Sequence, residues 1–163
     1  MDQIWSPWRM SYIRNHEHSQ ECVFCSALEV EDGPNNLVIA RGRNTFVILN
    51  RYPYTSGHLM VVPNPHIALP EQMDTYTRSE LMDMLILTEQ VLQQEYRPEG
   101  FNIGANIGAA AGAGIAAHLH FHVVPRWAGD SNFMSTLANT RVLPEKLEDT
   151  FWRLKKAWPA KND

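Results

Sequence analysis

Short apolar runs broken by turn residues fill the first half of the chain. Leu37–Arg41, Thr45–Asn50 and His58–Val62 are rich in Val, Ile and Leu, and are bounded by Gly42-Arg43-Asn44 and Tyr54-Thr55-Ser56-Gly57. This pattern predicts three strands, and links this short favour antiparallel pairing because parallel crossovers need a dozen residues or more. From Thr77 to Tyr96 the period changes. Leu81, Met84, Leu85, Leu87, Val91 and Leu92 recur near helical spacing, and Pro98 and Gly100 stop the pattern. Two further strands are predicted near Phe101–Asn106 and His118–Val124, with a Gly/Ala loop between them. A last helix is expected from about Glu145 to Trp158, with Pro144 at its start and Leu147, Phe151, Leu154 and Trp158 on one face. Residues 1–36 read as an irregular N-terminal segment led by Trp5, Trp8 and Tyr12 and carrying a Cys-x-x-Cys pair. Strands then a helix, repeated once, predict an α+β fold with an antiparallel sheet of about five strands, a central helix and a C-terminal helix.

Composition narrows the class. The 163 residues suit a single domain spanning 1–163, and the chain is long enough to build a core without staples. An apolar fraction of 44% with 20% charged residues is an ordinary globular balance. Fourteen basic residues against eighteen acidic ones leave a net charge of −4, so no basic surplus exists to grip nucleic acid through its phosphates. Phe101–Pro125 is the least charged stretch, but its Gly/Ala content and three closing histidines do not make a membrane span. The first residues have neither a basic nor an apolar leader region, so the expected location is cytoplasmic.

The sharpest chemical signal is His118-Leu119-His120-Phe121-His122-Val123-Val124. On a strand the three imidazoles would share one face and Leu119, Phe121 and Val123 the other. Three meanings compete: a solvated His-rich face, a three-histidine catalytic metal site, or an imidazole nucleophile oriented by its neighbours. Immediately upstream, Asn106-Ile107-Gly108-Ala109-Ala110-Ala111-Gly112-Ala113-Gly114 holds three glycines within seven residues. Such a backbone can approach an anion closely, although it could equally be a flexible hairpin. Set against three histidines, it points to a phosphate held beside an imidazole. Cys22-Val23-Phe24-Cys25 has the spacing of half a tetrahedral zinc site, or is a pair of ordinary thiols in a flexible lead.

The His-x-His-x-His-apolar-apolar run resembles the signature of the histidine triad (HIT) superfamily of nucleotide hydrolases and transferases. Phe46–Pro53 and Gly57–Pro63 are similar to that family's first-half strands and its fourth histidine. Val124–Met134, together with Trp5–Met10, resembles its diadenosine tetraphosphate phosphorylase branch. The resemblance implies dinucleoside polyphosphates as first substrates, split through a covalent nucleotidyl-histidine that water or phosphate resolves. It implies His120 as nucleophile, His122 as its phosphate-side support and His58 as the residue completing the site. Asn50 would meet ribose hydroxyls, and Asn106, Gly112 and Gly114 would lie at the phosphates with His120 and His122. It also implies that His66 and His118 join Cys22 and Cys25 around a structural zinc, and that the chain is a homodimer. One departure stands out: Gly112–Ala117 has no polar side chain where family members often carry Gln or Ser. That departure keeps a rival open, a nucleotide-binding module with little turnover; a metallohydrolase using all three triad histidines is a further rival. Arg51, Arg126, Trp127 and Phe133 are weaker candidates for ligand contacts, and His16 and His18 receive no role.

Overall fold

A computed structural model describes residues 21–130 and 144–160. The aromatic lead, His16, His18, Phe133 and Met134 lie outside the described residues. Five strands form one sheet: β1 (Val38–Arg41), β2 (Thr45–Leu49), β3 (Leu59–Pro63), β4 (Gly100–Gly104) and β5 (Phe121–Arg126). Their order is β1-β2-β3-β5-β4, and every neighbouring pair is antiparallel. Among the described residues the helices are α1 (Val23–Leu28), α2 (Thr75–Tyr96) and α3 (Leu147–Ala157), with short 3-10 turns at Pro70–Gln72 and Ala109–Ala111. The α+β reading with five antiparallel strands, a central helix and a C-terminal helix is what the structure contains.

β2 and β3 are buried along their whole length, as their unbroken apolar runs require. The long helix α2 packs on both of them, and α3 adds Phe151 and Leu154 to the same core. α2 starts where Asp74 accepts a hydrogen bond from the Thr77 amide at 2.7 Å. It ends at Arg97, whose left-handed backbone (φ 46°) turns the chain before Pro98. α2 also fixes the β1–β2 turn. The Glu80 carboxylate accepts from the amides of Asn44 and Thr45, both at 2.9 Å, and from the Thr45 hydroxyl at 2.8 Å. Gly42 lies so close to this carboxylate and to Met84 that a Cβ there would collide with both. Among the described residues no helix is long and apolar enough to cross a membrane.

Two expectations need correction. Residues 1–36 are not irregular throughout, because α1 spans Val23–Leu28 and carries Cys25. Six residues give too short a window for helical period to register. Tertiary contacts hold this helix: Arg41 donates to the carbonyls of Ala27, Leu28 and Val30 and pairs with Asp32 at 2.8 Å. Lys155 of α3 reaches the same Asp32 and the carbonyl of Ile39. The last strand begins at Phe121, not at His118. The Pro63 carbonyl accepts from the His118 ring at 2.8 Å, and the Leu119 amide bonds Ile67, so residues 118–120 leave the ladder.

Removing the Glu80 carboxylate strands the amide donors of the β1–β2 turn. Glu80→Ala should therefore cost about 2 kcal/mol, hydrogen bonds to a charged acceptor being worth roughly 1.5–3 kcal/mol each. Urea unfolding of the variant against the parent measures this as a lowered midpoint at constant slope.

Candidate active site and metal centre

The β3–β5 register brings two histidines together. Met60 stands opposite His122, so His58, two residues earlier on the same face, is the diagonal neighbour of His122. The two rings meet edge to edge, with His58 Nε2 3.0 Å from His122 Nδ1. The Tyr54 amide donates to His58 Nδ1 at 3.1 Å. An accepting Nδ1 leaves the His58 proton on Nε2, which donates to His122 Nδ1; His122 in turn carries its proton on Nε2. Asn50 is aligned with His58 across β2 and β3, its amide bonding the His58 carbonyl at 2.9 Å. Its side-chain carbonyl accepts from the Tyr52 amide, which turns the NH2 group towards the His58 ring.

His120 is organised differently. Its Nδ1 lies 2.8 Å from the carbonyl of His118. A carbonyl only accepts, so Nδ1 holds the proton and Nε2 holds the lone pair. The ring is buried, and burial lowers its pKa below the ordinary 6.5 against the opposing pull of that carbonyl. A neutral imidazole with one exposed lone pair is the form a nucleophile needs. The rings of His120 and His122 are 5.0 Å apart.

His118 takes no part in this pair. Its Nε2 donates to Pro63, which turns Nδ1 to a second cluster. Nδ1 is 3.2 Å from Cys22 Sγ and 3.7 Å from Cys25 Sγ, while His66 Nδ1 is 3.3 Å from Cys25 Sγ. The four ligand atoms all lie within 4.8 Å of one another. Zinc at about 2.3 Å from sulfur and about 2.0–2.1 Å from nitrogen sets tetrahedral S···N separations near 3.5 Å, so this donor set fits. The Pro63 carbonyl is the outer partner that fixes the tautomer of a ligating histidine. Burial raises the Cys25 thiol pKa, and the adjacent Cys22 raises it further. A divalent cation among these atoms would reverse that preference. The three triad rings therefore do not converge on one ion; the first serves the cysteine cluster, and the other two face a cleft.

That cleft has a volume of 580 Å³. Phe24, Ala27, Leu37 and Ile48 form its apolar end. Asn50, Asn106, Gly112, Gly114, His120 and His122 line it as well. A cleft of this size with both apolar and polar walls can hold a small molecule. Gly112 lies in the left-handed region (φ 87°), which a residue with a Cβ adopts only under strain. Arg51 lines the cleft too, and also donates to the Asn35 carbonyl. Two of the candidate residues do not line the cleft. His58 is fully buried behind His122 and meets the cleft residues only through its hydrogen bond to that ring. Arg126 is held by Asp130 and Asn102, away from the cleft.

Three contributors were not visible in the residue pattern. Phe24 packs against both His118 and His120, at ring-centroid distances of 5.3 and 5.1 Å. Tyr54 packs on His58 at 4.6 Å and stacks on His122 at 6.1 Å. Leu37 lines the cleft from a left-handed backbone (φ 64°). An aromatic between two cysteines and another four residues before a histidine were the available signals, and neither specifies a contact.

Comparison with known proteins adds the following. A family model described as "HIT domain" matches residues 33–129. A Mycobacterium tuberculosis protein named AP-4-A phosphorylase is 37% identical over 166 residues, covering 97% of this chain and 85% of that protein. An uncharacterized HIT-like protein of Saccharolobus solfataricus is 29% identical over 69% of this chain and 79% of its own. Among solved structures, a Zn-bound histidine triad family protein from Mycobacterium smegmatis superposes with a TM-score of 0.66 at 27% identity, covering 85% of this chain and 93% of that one.

The hydrogen bonds make a spectroscopic prediction. Nitrogen-15 NMR should find His120 as the Nδ1–H tautomer, with a titration midpoint below 6.5. Because the folded ring resists protonation, the unfolded chain binds more protons once the pH drops below 6.5. The stability contributed by His120 is then complete above pH 6.5 and is lost as pH falls through the lower folded value.

Proposed function

The chain belongs to the HIT domain family, and on that premise we propose that it is a nucleotidyl hydrolase or transferase that cleaves dinucleoside polyphosphates through a covalent intermediate on His120. The domain in this proposal is the whole chain, 1–163. The observation that carries it is the pairing of a neutral His120, anchored at Nδ1, with a hydrogen-bonded His58–His122 couple at one end of a cleft. The substrate class comes from the relative named AP-4-A phosphorylase, which matches 97% of this chain.

In the proposed reaction the base lies among Phe24, Leu37 and Ile48, and the ribose hydroxyls meet Asn50. The phosphates lie between Asn106, the Gly112–Gly114 backbone and the two histidines. His120 Nε2 attacks the α-phosphorus; an N–P bond forms and the bond to the bridging oxygen breaks. The ring becomes cationic, and its Nδ1–H bond to the His118 carbonyl strengthens as that charge develops. His122 Nε2–H donates to a phosphate oxygen, which stabilises charge on the transferring group. The polyphosphate half departs as an anion and needs no proton. Water, giving up a proton to bulk solvent, or inorganic phosphate, already an anion, then attacks phosphorus; the N–P bond breaks and His120 leaves as the neutral ring it began as. Splitting one displacement into two is the gain of nucleophilic catalysis.

Zinc is the proposed ion at Cys22, Cys25, His66 and His118. There it supplies structure: it would bind α1 to the triad segment and press Phe24 against His120. Assembly as a homodimer and residence in the cytoplasm belong to the same proposal.

Quenched reactions with diadenosine tetraphosphate, analysed by mass spectrometry, should show a nucleotidyl adduct on His120. His120→Ala should lose the adduct and at least a thousandfold in rate while keeping its circular dichroism. Unchanged turnover in that variant would falsify the assignment. Tight binding by the parent protein without turnover would favour the binding-module alternative, which the polar-free Gly112–Ala117 segment supports.

The metal assignment has its own check. Purified protein should carry one zinc per chain by atomic emission, and Cys22→Ser should reduce that ratio towards zero and lower the melting temperature. An unchanged zinc content in the variant removes the structural-zinc assignment.

A further inference from the structure

A second cavity of 600 Å³ opens on the far side of the Tyr54 loop. Tyr54, Ser56, Tyr96, Trp127, Glu145 and Arg153 line it. Tyr54 lines both this cavity and the nucleotide cleft, and its ring stacks on His122 at 25° between planes. One aromatic ring therefore separates the reactive histidine pair from the second space.

The walls have a definite chemistry. Tyr54, Tyr96 and Trp127 are planar and mostly apolar. The two carboxylates are already matched by cations. Glu145 takes an ion pair from Arg153 at 2.7 Å and hydrogen bonds from the Tyr96 and Thr150 hydroxyls at 2.6 and 2.9 Å. Asp130 is paired with Arg126 at 2.6 Å. Among the described residues that line it, Arg153 is the cation, and it is committed to Glu145. The Arg153 guanidinium lies 5.3 Å from the centre of the Tyr96 ring. Ser56 Oγ is buried without a hydrogen-bond partner, which is an energetic cost unless something else supplies one. Aromatic walls with a few polar tips suit a flat heterocycle carrying polar edges.

We propose that this cavity receives the second nucleoside of a dinucleoside polyphosphate, the one on the departing half, with the polyphosphate passing Tyr54 between the two spaces. The proposal rests on the substrate class given under Proposed function. When His120 Nε2 bonds to the α-phosphorus and the bridging P–O bond breaks, the leaving anion is still attached to a nucleoside lodged in this cavity. Affinity there selects dinucleotides over nucleotides with a small leaving group.

Kinetics with two substrates test this. Diadenosine tetraphosphate carries the second nucleoside; adenosine 5′-phosphosulfate presents the same first half with a bare sulfate as leaving group. In Trp127→Ala the preference for the dinucleotide, as a ratio of kcat/KM values, should fall about tenfold, mainly through KM, as expected for losing a base-stacking surface. Arg153→Ala, on the solvent side of α3, should lower the same ratio and gives the readout if Trp127→Ala does not fold. An unchanged ratio in the folded variants overturns the inference and leaves the proposed chemistry intact. A parent protein that cleaves the phosphosulfate but not the dinucleotide also overturns it, and one that cleaves neither overturns both.

Discussion

Each imidazole at this site works because a hydrogen bond to one ring nitrogen decides what the other can do. His118 gives its Nε2 proton to Pro63 and turns a lone pair towards two thiols. His120 gives its Nδ1 proton to the His118 carbonyl and keeps a lone pair on Nε2. His58 accepts from the Tyr54 amide and so can donate to His122. Three adjacent histidines with uncommitted tautomers would interconvert among forms, most of them wrong for either task. Backbone groups make the choice here, and they cannot be lost by side-chain substitution.

This constraint links the fold to the chemistry. The His118 carbonyl can serve His120 only because residues 118–120 leave the ladder before β5 begins. They leave it because Pro63 ends β3 with its carbonyl given to a side chain and Ile67 takes the Leu119 amide. The same departure brings His118 to the cysteine pair on α1. Phe24, between those cysteines, then packs on both His118 and His120. The cysteine cluster and the His120 ring thus share one aromatic wall. Arg41 and Asp32 fasten the other end of α1 to β1, so that helix is held at both ends against the ring it supports.

Much of this was legible in the sequence. The apolar runs at Thr45–Leu49 and Leu59–Pro63 announced buried strands, and α2 followed from its period and its Pro98 stop. The cleft-lining role of Asn50, Asn106, Gly112 and Gly114 followed from the resemblance. What stayed hidden depends on contacts between distant segments. Alternation along a strand assumes that the strand is paired, and it placed three histidines on one face where only His122 is in the ladder. α1 is too short to show a period and exists by virtue of Arg41 and the residues packed around Phe24. His58 is recognisable as a chemical residue, but its full burial behind His122 comes from register.

The absence of a polar side chain between Gly112 and Ala117 bears on which bonds this site can break. An alkoxide or amine leaving group needs a proton, and a Ser or Gln there could help to deliver or orient one. A polyphosphate leaves as a stable anion. It needs a donor and room more than it needs an acid, and in the proposed reaction the His122 Nε2–H supplies the donor while the Gly112–Ala117 side chains take up little space. On the proposed chemistry, a site without acid assistance suits anhydrides whose leaving groups are already acidic. Among nucleotide substrates, dinucleoside polyphosphates have that property.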